Sequence, residues 1–152
     1  MREDYHKRLQ NLRTILTSQG VDGFVLSVND AFFSEYPPEH FKRLEWLTGF
    51  TGSAGMIVVA GDKAAFFTDG RYTIQAEKEV GSEHYQLFNS SETSPYEWLV
   101  DNGKGLVMGY DAWLFSQSAY ERWQNYTPDS TWKMVTENPV DALWQDRPPL
   151  SE

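Results

Sequence analysis

The chain has 152 residues, a net charge of −9 and no cysteine. That length suits one domain with a real core. The acidic balance disfavours nucleic acid and anionic membranes, because Lys7-Arg8 and Lys42-Arg43 are only isolated basic pairs, and the absent cysteines exclude thiol catalysis, disulfides and thiolate-bound zinc.

Aromatic residues make up 15% of the chain, enough to supply an interface or a pocket as well as a core. The first residues, "MREDYHKRLQ", are charged and lack the apolar stretch of a signal peptide. No apolar run approaches the roughly 20 residues of a membrane span. A cytoplasmic setting with no membrane contact is therefore expected.

Tyr5, Leu9, Leu12 and Leu16 recur at helical spacing, and Gly20 is a natural stop. "GFVLSV" (Gly23 to Val28) reads as a buried strand. "NDAFFSEYPPEH" reads as a loop, since Pro37-Pro38 continues neither helix nor strand. "FKRLEWLTGF" fits either a strand or a short helix.

"MIVVAGDKAAFFTDG" is the clearest hairpin: Met56 to Val59, a turn at Gly61-Asp62, then Ala64 to Thr68. "RYTIQAEKEV" reads as a helix that Asp69 is placed to cap. "HYQLFN" is a strand. Ser94 and Pro95 open a helix through "YEWLVDN". "GLVMGYD" is a strand, Ser116 opens the helix "QSAYERWQNY", and "WKMVTEN" is a last strand. "VDALW" is a short helical or aromatic anchor. Arg147-Pro148-Pro149 then imposes an extended exit that reads as the start of a linker. Strands alternating with helices around an embedded hairpin predict an α/β domain with a mixed sheet and helices on both faces.

The segment "LTGFTGSAG" spaces Gly49, Gly52 and Gly55 three apart. A phosphate loop needs GxxxxGK[ST] and a following helix; here no lysine falls in register and the next element is a strand. The GxGxxG of dinucleotide sites is absent too. The glycines instead suit tight turning and close backbone approach. His6, His40 and His84 show no metal-ligand spacing. No GxSxG surrounds Ser53 or any other serine. Glu35, Glu45 and Asp69 lie in three separate segments. The strongest local candidate is the turn Asp69-Gly70-Arg71-Tyr72 at the end of a strand, where α/β proteins place ligand contacts. Arg71 offers a rigid donor fork for a carbonyl or carboxylate. The competing reading has Asp69 capping a helix and Arg71 pairing with a nearby acid.

"LTGFTGSAGMIVV" and "AAFFTDGRYTIQAEKEV" together resemble the N-terminal domain of Xaa-Pro aminopeptidases (aminopeptidase P), a domain shared with creatinases and prolidases. "DAFFSEY" and "VDALWQDRP" resemble the flanking segments of the longer, three-domain aminopeptidases P. The resemblance runs from about Val21 to Pro148. It implies a ribonuclease H-like fold over residues 1–146, with 147–152 beginning an interdomain linker. It also implies an enzyme that removes the N-terminal residue from peptides with proline second. Two divalent metal ions, commonly manganese, would sit in a downstream catalytic domain that this chain does not include. The chain itself would be non-catalytic, shaping substrate access and assembly, with a homodimer possible for the whole enzyme. Arg71 matches the family's peptide-contacting arginine. Tyr72, Asp69, Glu35 and Tyr36 are weaker neighbours on the same surface. The alternatives are an interaction module of a catalytically inactive relative, or the N-terminal domain of a prolidase.

Overall fold

The recurrence of Leu9, Leu12 and Leu16 becomes one buried stripe of a helix, α1 (Arg2–Ser18), in the computed structural model. The model describes residues 2–27, 43–51, 55–111, 117–135 and 138–144. The proline loop, Glu35, Tyr36, His40, Gly52, Ser53, Ser116 and the Arg147-Pro148-Pro149 exit lie outside the described residues.

The chain continues through β1 (Gly23–Ser27), α2 (Arg43–Thr48), β2 (Met56–Ala60) and β3 (Lys63–Thr68). A single 3-10 turn (Gly70–Tyr72) leads into α3 (Thr73–Glu79), then β4 (Gln86–Asn89) and α4 (Pro95–Asn102). β5 (Val107–Tyr110), α5 (Gln117–Tyr126), β6 (Thr131–Met134) and α6 (Pro139–Leu143) complete it. The ambiguous "FKRLEWLTGF" thus contains a helix. The segment after Asp69 is a 3-10 turn before it is an α-helix. Ser94 caps α4 by accepting from the Glu97 amide, with Pro95 in the first turn as its spacing predicts.

The sheet has the order β4-β3-β2-β1-β5-β6. β1 pairs parallel with β5, β5 with β6, and β3 with β4, while β2 runs antiparallel to both β1 and β3. Hence β2 alone is reversed in a mixed sheet. Alternate side chains of the central hairpin enter two cores. Ile57, Val59, Ala64 and Phe66 join Leu9, Leu12, Leu16 and Phe24 under α1, α2 and α6. Val58, Ala60, Ala65 and Phe67 join Trp98, Leu99 and Trp123 under α4 and α5. Helices therefore cover both faces.

Asp22 stitches the sheet's opposite end. Its amide donates to Val107 and its carboxylate accepts from the Val107 amide, while its carbonyl accepts from Gly61. Arg43, half of a basic pair in the sequence, is not a surface residue. Its guanidinium makes two hydrogen bonds to Asp141, at 2.7 and 3.0 Å, with side-chain exposures of 8% and 19%. This fork ties α2 to α6.

Removing one partner of a buried pair leaves an uncompensated charge. Asp141→Ala is expected to lower stability by about 3 kcal/mol, read from the urea midpoint at unchanged slope. Adding Arg43→Met to that variant should recover part of the loss; a further loss of similar size would show that the pair itself is not the cause.

Candidate functional site

β3 ends at Thr68, and β2 begins beside it, since Met56 pairs with Phe67. The glycine-containing loop that enters β2 and the turn that leaves β3 therefore meet at one edge of the sheet. That edge also carries the carboxyl ends of β1 and β5, the end where open α/β sheets place ligand contacts.

At this edge Asp69 caps the 3-10 turn by accepting from the Arg71 amide at 2.9 Å. The same carboxylate takes two hydrogen bonds from the Arg71 guanidinium, at 3.3 and 2.9 Å. The guanidinium carbon stands 5.3 Å from the centre of the Tyr72 ring, within cation–π range. The side chain of Arg71 is 73% exposed and that of Asp69 35%. The structure therefore joins Asp69, Arg71 and Tyr72 in one cluster and contains the geometry of the competing reading: the cap and the acid partner are the same residue. Exposed ion pairs hold weakly, so this contact steers the fork without burying it. Glu35 and Tyr36 fall outside the described residues.

The hydrogen bond from the Arg71 side chain is the main cause holding the Asp69 carboxyl below its ordinary range. A folded-state value lower than the unfolded one gives a contribution present above the unfolded value and lost as pH falls through the folded one.

Four neighbours, Thr51, Ile74, Gln75 and Glu79, escaped the sequence reading. Glu79, at the end of α3, accepts from the Thr51 amide at 2.8 Å, from the Thr51 hydroxyl and from Gln75 Nε2. Gln75 also donates to the Thr51 hydroxyl. This network fastens the loop after α2 to the helix that begins just beyond Arg71. Gln75 and Glu79 stand four apart on α3, but nothing local points to Thr51. Ile74, three residues after Arg71, is 68% exposed, an apolar side chain on the outer side of α3. Glycine's role in the loop is steric. Gly49 has φ 84°, and a Cβ there would lie 2.9 Å from the Tyr5 ring.

His6 and His84 stack with ring centroids 3.7 Å apart, a contact that no sequence spacing indicates. Among the described residues, no three His, Asp or Glu side chains come together as a metal-binding group. No described helix is long and apolar enough to cross a membrane.

The family model for the creatinase/prolidase N-terminal domain matches residues 8–143. Aminopeptidase P1 of Lotus japonicus is 35% identical over 146 residues, covering 93% of this chain and 22% of that protein. The chain thus spans about a fifth of the length of the curated relatives it matches. An X-prolyl aminopeptidase from Caenorhabditis elegans, described as a cytosolic enzyme with a di-nuclear active site, superposes with TM-score 0.87 and 27% identity. That match covers 97% of this chain and 26% of that one. The separately crystallised N-terminal domain of the peptidase PepQ from Mycobacterium tuberculosis shares the fold, with TM-score 0.69 and 19% identity over 90% of this chain and 98% of that one.

Two measurements probe this edge. The Asp69 carboxyl should titrate below the ordinary aspartate range by carbon-13 NMR, and Arg71→Ala should raise it; an unchanged midpoint would separate the two residues. Glu79→Ala should speed amide exchange at Thr51 by about fivefold, equivalent to losing about 1 kcal/mol of local stability.

Proposed function

Because the chain belongs to the creatinase/prolidase N-terminal domain family, we propose that it is the non-catalytic N-terminal domain of a dinuclear-metal Xaa-Pro aminopeptidase. Such an enzyme removes the N-terminal residue from peptides with proline second. The observation that carries this reading is the alignment of nearly the whole chain with about a fifth of proteins named aminopeptidase P or Xaa-Pro aminopeptidase.

In this reading the metal ions are held by a downstream catalytic domain. Two divalent metal ions, manganese in this reading, supply Lewis acidity and an activated water there. The contribution of this chain is substrate access and assembly. Residues 1–146 form the domain, and 147–152 begin the linker toward the catalytic domain. The working enzyme is a cytoplasmic homodimer.

The Arg71 fork, held over Tyr72 and steered by Asp69, donates to a carbonyl or carboxylate of the bound peptide. Its exposure supports this role, because a peptide can reach it without the core being disturbed. A peptide carboxylate or carbonyl exchanges with the weak contact to Asp69. Glu35 and Tyr36 are assigned to the same substrate in this reading, as weaker contacts than Arg71.

In the enzyme containing the downstream domain, Arg71→Ala is expected to lower kcat/KM on Xaa-Pro peptides about tenfold with bound metal unchanged. Unchanged kinetics would leave Arg71 a capping partner only. The 152-residue chain alone, given manganese and an Xaa-Pro peptide, is expected to release no amino acid, and measurable turnover would overturn the non-catalytic assignment.

A further inference from the structure

The outer face of α3 carries an apolar side chain next to the Arg71 turn. Ala76 is buried and Val80 packs against the same core, so these two set the inward side of the helix. Arg71, Ile74, Glu77 and Lys78 recur three and four apart and are all exposed, which makes them one outward stripe. Ile74 is 68% exposed. The other exposed large apolar side chains among the described residues, Val100, Tyr126 and Met134, stand on α4, α5 and β6.

A lone exposed isoleucine is ordinary. Two features set Ile74 apart. A helical Cα–Cβ bond tilts toward the helix N-terminus, so the second residue of α3 leans its side chain back toward the turn that holds Arg71. Its backbone is also held in place. Gln75 and Glu79 fasten α3 to Thr51, and the Tyr72 ring meets Phe50 edge-on with centroids 6.1 Å apart. An apolar side chain on a fixed helix beside a donor fork can engage two groups of one ligand: a carbonyl or carboxylate, and an apolar side chain close to it in sequence. The reaction proposed above decides which part of a peptide that is. An enzyme that removes a single residue holds that residue and the scissile bond at its metal centre. Only the chain after the proline has the length to reach a second domain.

We propose that Ile74 is a specificity-determining residue of this edge, an inference that rests on the function proposed above: it contacts an apolar side chain that the substrate carries directly after its proline. The Arg71 fork takes a backbone carbonyl or the terminal carboxylate of the same stretch. Xaa-Pro peptides continued by a bulky apolar residue are therefore preferred, and a polar side chain at that position forfeits the Ile74 contact.

The test uses the enzyme containing the downstream domain and two Xaa-Pro peptides that differ only in carrying leucine or asparagine, side chains of similar shape, after the proline. The leucine peptide is expected to show a KM about fivefold lower at similar kcat, the effect of burying little more than one methylene group. Ile74→Ala should erase the difference by raising KM for the leucine peptide alone, and Ile74→Leu should keep it. Equal use of the two peptides by the parent enzyme, or a leucine preference that survives Ile74→Ala, would overturn the proposal and leave the Xaa-Pro activity standing. Release from neither peptide would overturn the proposed function and this inference with it. An Ile74→Ala variant altered only in its oligomeric mass would assign the side chain to a second copy of the chain, which would overturn the proposal as well.

Discussion

Burial of the β2–β3 hairpin on both faces is the constraint that governs the whole domain. Ile57 and Val58 are both fully buried although they point to opposite sides, and Ala65 and Phe66 repeat the pattern. Strands whose successive central positions are apolar and buried on both faces cannot edge a sheet or leave one face to water. They need neighbours on both flanks, supplied by β1 and β4, and helices above and below. Polar chemistry is thereby driven to the strand ends, where the Asp69–Tyr72 turn stands.

Local physics made most of the elements legible. The hairpin announced itself through two apolar runs around Gly61-Asp62, α1 through its leucine spacing, and α4 through the Ser94-Pro95 start. What stayed hidden depended on partners distant in sequence. Arg43 looks like half of a solvated basic pair, yet its acid lies 98 positions later on α6. The six residues of α2 are too few for a period to choose between helix and strand, and burial of Leu44 and Leu47 under α1 decides it. Strand order is likewise a tertiary fact: β1 separates β2 from β5, and no composition near Gly23 says so.

The candidate edge was half legible. A short polar side chain before a turn is a strong capping signal, and Asp69 does cap. An acid partner for Arg71 was one of the readings, but that the capping carboxylate is itself that acid was not foreseeable, because it depends on the guanidinium folding back over its own turn. The Thr51–Gln75–Glu79 network was invisible for the same reason as the Arg43 pair. It explains why the glycine-bearing loop and the arginine turn belong together as one signature: α3 carries the anchor for the first and directly succeeds the second.

Three arginines show how one side chain serves three ends according to its surroundings. Arg43 is withdrawn from water and must be neutralised by a bidentate acid, so its energy goes into joining two helices. Arg8 is half-buried between aromatic faces, where its charge lies against the Tyr5 and Trp46 rings and little remains for an incoming anion. Arg71 keeps most of its surface in solvent while a ring beneath and a carboxylate beside it limit its rotamers. A donor fork that is both exposed and partly ordered loses less entropy on meeting a peptide than a fully mobile one. That combination, rather than charge alone, is what the proposed peptide contact asks of an arginine, and of these three only Arg71 has it.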